Sequence, residues 1–477
     1  MRNYQKFYID GCWVEPVGRA TFDVINPATE QIAGRIRLGD KADVDAAVAA
    51  ARKAFETYSQ TSREERIAML QRIAVELQAR AKDLGAAITE EMGAPQWLAN
   101  EAHVGLAHGH VQAAIETLGR FEFEKISGRS MLRKVPIGVC GMITPWNWPL
   151  GTVMPKILPA LATGCTIVMK PSEFAPFSAC ILAEIFDAAK VPPGVFNLIF
   201  GDGANVGTAL SGHPGVDMIS ITGSTRAGIE VARNAAATVK RVHQELGGKS
   251  PYILLDDADM GKAVAAGVGF IMLNSGQTCS APSRMLAPKS KMQEVIAVAK
   301  ATAESFAVGA PDSGAYLGPV VNASQWNRIQ RLIGQGIDEG ATLVTGGVGR
   351  PDGLEKGYYV KPTIFANVTQ DMTVAKEEIF GPVLVIEPYD DVEDAIRIAN
   401  DTEYGLAAYV QSGSIERARQ VAGRIRAGQV YINGAMDLFD LNMPFGGCKM
   451  SGNGREWGEA GFESCLEDVA FLGYVPA

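Results

Sequence analysis

IGVCGMITPWNWPLGTVMPKILPALATGCTIVMKPSE, from Ile137 to Glu173, holds two short apolar runs, IGVCGMI and CTIVMK, and each closes on a loop of proline and polar residues. Runs of this length bounded by turn residues read as buried strands. The pattern continues through VFNLIF (195–200), DMISIT (217–222), KRVHQEL (240–246) and PYILLD (251–256). Helical intervals at Ala175–Lys190, Ala204–Leu210 and Thr225–Ala236 lie between several of them. Strands alternating with helices predict an α/β fold with a parallel sheet covered on both faces. Ligands of such a sheet gather at the carboxyl ends of its strands. The loops there read TPWNWP, KPSE, GDG, TGS and ELGGK.

Upstream, SREERIAMLQRIAVELQARAKDL opens on a capping box, Ser62 with Glu65, and repeats apolar residues at Ile67, Leu70, Ile73, Leu77, Ala81 and Leu84. One amphipathic helix is expected there. The stretch from Met1 to about Leu118 reads as packing without chemistry of its own. His103, His108 and His110 have no carboxylate or cysteine at a ligand spacing, so they are assigned solvated or capping roles and no metal is expected. Downstream of Asp256 a second α/β unit begins, with an Ala/Gly/Val-rich helix to about Asn274, the loop SGQTCSAPSR, and strand-like ATLVTGG, PTIFANV, PVLVIEPY and GQVYIN. A domain boundary falls near 248–258. The strand-like tail LEDVAFLGYV has no local partner, which predicts pairing with another element or another subunit.

Composition narrows the classes of function. Among 477 residues, Lys and Arg number 44 against 53 Asp and Glu, a net charge of -9 that lacks the basic footprint of a nucleic-acid binder. The longest apolar run, Ile157–Met169, is bracketed by Lys156 and Lys170 and contains Pro159. It falls short of the roughly 18 residues of a membrane span. The opening MRNYQKFYIDG has no apolar h-region. Seven cysteines without a CxxC pair point to a reducing, cytoplasmic compartment, with six of them read as small buried hydrophobes. The 52 glycines exceed the usual share of about 7% and call for backbone positions that approach something closely.

Several loops carry residues suited to chemistry, each with a plain structural alternative. Gly201, Gly203 and Gly207 are spaced as a loose dinucleotide fingerprint or as a simple turn. In TGST, Ser224 and the amides of the helix it opens serve either as a pyrophosphate site or as an N-cap. Lys170 and Glu173 end a strand as ribose ligands or as solvated charges. Cys279, in GQTCS, sits in a loop of small polar residues where backbone amides can support a thiolate. Its partner base is either His243 or Glu245, both in HQELGG. One chemistry suits a thiol and a carboxylate together: thiolate attack on an aldehyde, hydride loss to a nicotinamide, and hydrolysis of the thioester by water that a carboxylate activates. Asn147, between Trp146 and Trp148, would supply the oxyanion donor beside the Cys279 N–H.

On these motifs the chain resembles the aldehyde dehydrogenase superfamily, in its hydrolytic, NAD(P)-dependent, non-CoA-acylating branch. TPWNWPL (144–150), MKPSE (169–173), ITGST (221–225), ELGGKSP (245–251), GQTCSA (276–281), EEIFGPV (377–383), PFGG (444–447) and SGNGRE (451–456) follow one another in family order. The resemblance implies Cys279 as nucleophile, Glu245 as general base and Asn147 as oxyanion amide. It implies Lys170 and Glu378 as ribose ligands, Phe380 beside the nicotinamide, Ser224 and Trp146 at the pyrophosphate, and Gly223 and Gly247 allowing close cofactor approach. Glu173 matches the carboxylate at the adenine ribose, where it repels a 2′-phosphate, so NAD is expected over NADP.

The implied fold is a Rossmann-like cofactor domain (1–118 and 138–248), a catalytic α/β domain (249–446) and a β oligomerisation arm (119–137 and 447–477). The arm's tail strand would extend another subunit's sheet, in a homodimer or homotetramer. The implied partner is a small-molecule aldehyde. Trp148 stands where relatives often have Phe, and the loop MDLFDLNM (436–443), expected to line the tunnel, contains no arginine to pair a substrate carboxylate. Together with Phe439 and Phe445 this favours an aliphatic or aromatic aldehyde over a succinic-semialdehyde type. The alternatives are a semialdehyde-specific dehydrogenase of the same mechanism, a CoA-acylating enzyme, which Glu245 argues against, and a cofactor-independent cysteine esterase.

Overall fold

The computed structural model describes residues 1–434 and 436–475. Pro476 and Ala477, the end of the expected 447–477 arm stretch, lie outside the described residues, as does the side chain of Met436 at the head of the expected tunnel loop.

The first α/β unit is an eight-stranded sheet. From edge to edge it runs Gly452–Asn453, Arg241–Glu245, Met218–Thr222, Val139–Ile143, Thr166–Lys170, Phe196–Leu198, Phe7–Ile9 and Cys12–Val14. Its five central strands are parallel. The short edge strands pair antiparallel. Val139–Ile143 comes first in the chain among the five and sits in the middle. Its neighbours are the second and fourth of them, so the order reverses between Val139–Ile143 and Met218–Thr222. That is the switch point where open α/β sheets bind ligands. The loops that leave these two strands are TPWNW and TGST.

The crossover between the first two central strands is the helix Pro149–Thr163, which starts on Pro149 and stops at Gly164 with φ 93°. Apart from Lys156 and its threonines it is apolar, and it is buried along nearly its whole length, as a core helix must be. The amphipathic stretch from Ser62 forms the expected capping box but is two helices, Arg63–Ala79 and Ala81–Met92, because Arg80 leaves helical geometry at φ −103°, ψ 10°.

The chain leaves the first sheet at Glu245 and enters the second at Pro251, and the residues between, 246–250, are buried. The second sheet has seven strands in the order Thr342–Thr345, Thr363–Ala366, Val383–Tyr389, Arg284–Pro288, Pro251–Leu254, Ala407–Gln411 and Gln429–Ile432. All are parallel except the first. Arg284 and Glu387, on neighbouring strands, form a buried ion pair at 2.8 Å.

The tail strand Leu466–Phe471 finds its partner in the same chain. It pairs antiparallel with Ser130–Pro136, whose other side carries Glu124–Ser127. Residues 452–453 join the eight-stranded sheet instead, so of the stretch 447–475 only the end lies in this small sheet. Among the described residues no helix is long and apolar enough to cross a membrane.

Candidate active site

The loop that carries Cys279 is set by backbone strain. The helix Met260–Met272 ends, and Asn274, Ser275 and Gly276 follow with φ of 52°, 54° and 75°. Two non-glycine residues in the left-handed region persist only where the surroundings hold them. Asn274 Nδ2 donates to the Asn147 carbonyl at 2.8 Å, and Ser275 Oγ to the Gly318 carbonyl at 2.7 Å. Gln277 ties the turn further, donating to the Asn274 carbonyl at 3.0 Å and accepting from Val321 N at 2.9 Å. Gly276 and Gly248 are required by close approach. A Cβ on Gly276 would run into the Gly381 carbonyl, and one on Gly248 would stand 2.5 Å from the Cys279 carbonyl.

Cys279 lies where two cavities meet. The first opens at the switch point and is lined by Trp146, Asn147, Gly223, Ser224, Gly247, Glu378 and Phe380. The second is lined by Leu106, His110, Trp148, Phe270, Phe439, Phe445 and Trp457, with Glu245 and Glu456 in its wall. Thr222 and Cys279 belong to both.

Each wall has an identifiable support. Asn147 is buried and its Nδ2 donates to the Gln277 carbonyl at 2.9 Å, which engages one of its two N–H bonds. Glu378 accepts from Gly248 N at 2.9 Å, while Arg328 holds the Glu378 and Ile379 carbonyls at 2.5 and 3.0 Å. Phe380, at φ 61°, faces Trp146 edge-on at 5.5 Å. Ser224 caps the helix Thr225–Ala236 by accepting from Ala227 N, so the plain N-cap reading holds. The helix begins beside the cleft, since Gly223 and Ser224 line it.

Lys170 and Glu173 stand apart from both cavities, at the carboxyl end of the neighbouring strand. Lys170 is buried, donates to the Pro171 and Gly201 carbonyls at 3.0 and 2.8 Å, and pairs with Glu173 at 3.6 Å. Gly247 has a role unseen in sequence: a Cβ there would collide with the Glu378 carboxylate, so the glycine makes room for that side chain.

The electrostatics follow from enclosure. Burial, then the charges of Glu378 and Glu245, push the Cys279 thiol up to about 12, against the pull of the Ser280 and Cys279 amides. Burial raises Glu378 to about 7. Glu245 is pushed well above the carboxylate range by burial and then by Glu456.

Three sequence expectations need correction. His103 and His110 are buried rather than solvated, and burial pushes both down to about 3. The stretch before Leu118 is more than packing, because its helix Val104–Arg120 sends Leu106 and His110 into the second cavity. Of the six cysteines expected to be buried, Cys140, Cys165, Cys180 and Cys465 are, whereas Cys12 is exposed and Cys448 half-buried; all seven are free. Gln325, Arg328 and Trp457 were not singled out by sequence, for they reach the site from distant segments without a motif of their own, and Glu456 closes the SGNGRE motif without a role read for it there.

Two α/β sheets meeting at a thiol-bearing cleft define the class of fold, and comparison with known proteins narrows it. The model of the aldehyde dehydrogenase family matches residues 13–470. A 3-succinoylsemialdehyde-pyridine dehydrogenase from a Pseudomonas species is 53% identical over 99% of both chains. A mutant of aldehyde dehydrogenase C from Pseudomonas syringae, solved with NAD+ and octanal, superposes with a TM-score of 0.98 at 50% identity, covering 99% of this chain and 97% of its own. A Mycobacterium tuberculosis aldehyde dehydrogenase in complex with NAD+ gives a TM-score of 0.95 at 39% identity, with 98% of each chain covered. The chain belongs to the aldehyde dehydrogenase family.

Proposed function

We propose that this protein oxidises an aldehyde to the carboxylic acid with NAD+, through a thioester on Cys279. The observation that carries the reading is the position of Cys279 at the junction of the two cavities, with Asn147 on one side and Glu245 on the other.

The first cavity fits a dinucleotide by its donor set. It lies at the switch point, faces the first turn of Thr225–Ala236, and carries a carboxylate, Glu378, able to accept from ribose hydroxyls. Lys170 and Glu173 would complete the ribose contacts, and the Glu173 charge would disfavour a 2′-phosphate. The chemistry that NAD+ supplies when bound is acceptance of a hydride.

The chain's own residues do the rest. Cys279 gives its proton to solvent water, and the thiolate Sγ attacks the aldehyde carbon, forming a C–S bond as the C=O π pair moves onto oxygen. The resulting oxyanion is met by the second Asn147 Nδ2–H and by the Cys279 N–H. Once that carbon has reached the thioester level, Glu245 takes a proton from a water in the second cavity, the water oxygen bonds to the carbonyl carbon, and the C–S bond breaks. The acid leaves and the thiolate returns.

The second cavity supports an uncharged, apolar aldehyde. Its wall is mainly aromatic and aliphatic and, among the described residues, includes no lysine or arginine to pair a carboxylate. The octanal bound by the Pseudomonas syringae relative and the pyridine-bearing semialdehyde in the name of the Pseudomonas relative both agree with such a wall. We further infer that the protein works in the cytoplasm as a homodimer or homotetramer, with the sheet of 124–127, 130–136 and 466–471 as its association arm. The exposed outer strands of that sheet support this.

The test is NADH formation from a panel of aldehydes, with and without CoA. Apolar aldehydes yield NADH without CoA, Cys279→Ala yields none, and Glu245→Gln gives a burst and then stalls. A Glu245→Gln enzyme turning over at the wild-type rate removes Glu245 from the mechanism, and ester hydrolysis without NADH from any aldehyde overturns the reading.

A further inference from the structure

Glu245 shares the strand Arg241–Glu245 with His243, and alternate residues of a strand leave the same face. Both are buried, His243 at 4% exposure and Glu245 at 2%. His243 Nε2 lies 3.7 Å from Glu245 Oε1, and Nε2 and both Glu245 oxygens are buried without a hydrogen-bond partner. At that distance the pair is a contact, not a hydrogen bond. Three buried polar atoms without a partner, two of them 3.7 Å apart, require an account.

The other side of the ring supplies it. His243 Nδ1 is 2.9 Å from Ser220 Oγ, and Ser220 Oγ accepts from Lys156 Nζ at 3.0 Å. Lys156 is itself paired with Glu456 at 2.5 Å. An ammonium only donates, and among the described contacts of Ser220 Oγ, Nδ1 alone can accept the hydroxyl proton, while Glu456 Oε1 lies farther from Nδ1, at 3.9 Å. With Nδ1 accepting, the neutral ring carries its proton on Nε2, the nitrogen that faces Glu245. Burial, then Lys156 and Arg455, push His243 well below its ordinary pKa, which keeps the ring neutral. Around Glu245, Glu456 opposes ionisation while Lys156 and Arg455 favour it. Glycines make the space: a Cβ on Gly454 would run into the His243 ring, and one on Gly446 would stand 2.6 Å from Glu245 Oε1.

We propose that His243, fixed as its Nε2–H tautomer by Lys156 through Ser220, is a positioning residue that donates to the Glu245 carboxylate and favours its ionised form for deacylation. The inference rests on Glu245 being the base that takes the proton of the deacylating water. A donor to a carboxylate favours its charged form, so loss of the donor raises the Glu245 pKa.

The acyl-enzyme is prepared with p-nitrophenyl acetate: Cys279 Sγ attacks the ester carbonyl, nitrophenolate leaves, and the acetyl group stays on sulfur without any cofactor. Its breakdown is then followed by intact mass across the acid to neutral range. His243→Ala is expected to move the acidic limb of breakdown up by about one pH unit, a slowing of about tenfold on the acid side. His243→Gln, which keeps an N–H donor, restores most of the rate, and Ser220→Ala, which frees the tautomer, shifts the limb in the same direction by less. A limb that stays in place in His243→Ala, or moves equally in His243→Gln, overturns the proposal. Should His243→Ala not fold, an unmoved limb in Ser220→Ala overturns it. Glu245→Gln separates the two readings: if its acyl-enzyme breaks down at the wild-type rate, the assignment of Glu245 falls; if it stalls, the His243 variants decide the inference alone.

Discussion

Trp148 Nε1 donates to Thr278 Oγ1 at 2.9 Å, which ties the wall of the apolar cavity to the residue next to the nucleophile. Trp148 is held in turn by His103, whose buried neutral ring stacks on it at 4.2 Å and 22°. Trp148→Phe keeps the aromatic wall and deletes the donor. The expected outcome is a fall in kcat/KM of about fivefold for apolar aldehydes, the worth of one net hydrogen bond. An unchanged kcat/KM would mean that the tie does not position Cys279.

The thiol of Cys279, raised to about 12, is neutral at physiological pH in the free protein. Only the thiolate alkylates, so the rate of iodoacetamide reaction should climb about tenfold per pH unit through the neutral and mildly alkaline range. Glu245 adds to the rise of the thiol only where it is ionised, and burial and Glu456 push its own titration well above the carboxylate range, so Glu245→Gln should alkylate faster on the alkaline side alone. A plateau of the wild-type rate near neutrality would contradict the enclosure argument.

Glu173 carries the predicted preference for NAD over NADP. Replacing it with Gln removes the charge while keeping a hydrogen-bonding side chain beside Lys170, 3.6 Å away. The ratio of kcat/KM for the two cofactors should narrow by about tenfold, in line with the cost of like charges brought together. A wild-type preference for NADP would remove Glu173 from this role.

Arg284 and Glu387 are each 2% exposed at their side chains and lie 2.8 Å apart. Arg284 also donates to the Ile398 carbonyl at 2.8 Å. Glu387→Ala leaves a buried guanidinium unpaired and should cost about 3 kcal/mol or more in urea unfolding, whereas the double change Arg284→Met with Glu387→Leu should cost much less. Equal losses in the two would show that packing, not the charge, is what matters there.

The parts of the site that were legible in sequence are those where one loop does one thing. TPWNWP, TGST and GQTCS each follow a strand or helix directly, so their residues fall at the cavity junction wherever the sheet is correctly ordered. Leu106 and His110 were not legible, because a helix that packs on Pro149–Thr163 shows the same apolar period whether its last layer faces core or tunnel. Trp457 and Glu456 arrive from more than two hundred residues beyond the strands they meet; SGNGRE marks the segment as a motif, but no spacing encodes where it returns. The tail's partner was not legible from the residues themselves, and only the resemblance grouped 119–137 with 447–477: strand pairing across 130–136 and 466–471 is set by topology, not by neighbouring residues. His243 was read as a rival base to Glu245. Only the Ser220 and Lys156 contacts show that its free nitrogen points at the carboxylate.

The buried crossing from Glu245 to Pro251 has a consequence for traffic. Two-lobed enzymes commonly bend at the segment that joins their lobes. Here the joining residues bear the Glu245 base at one end and press Gly248 on the Cys279 carbonyl in the middle. Bending there would move the Glu245 base relative to Cys279, so the crossing keeps base and nucleophile in register. Cys279 is reached by both the aromatic cavity and the cleft at the switch point, so aldehyde and NAD+ have separate approaches to the sulfur.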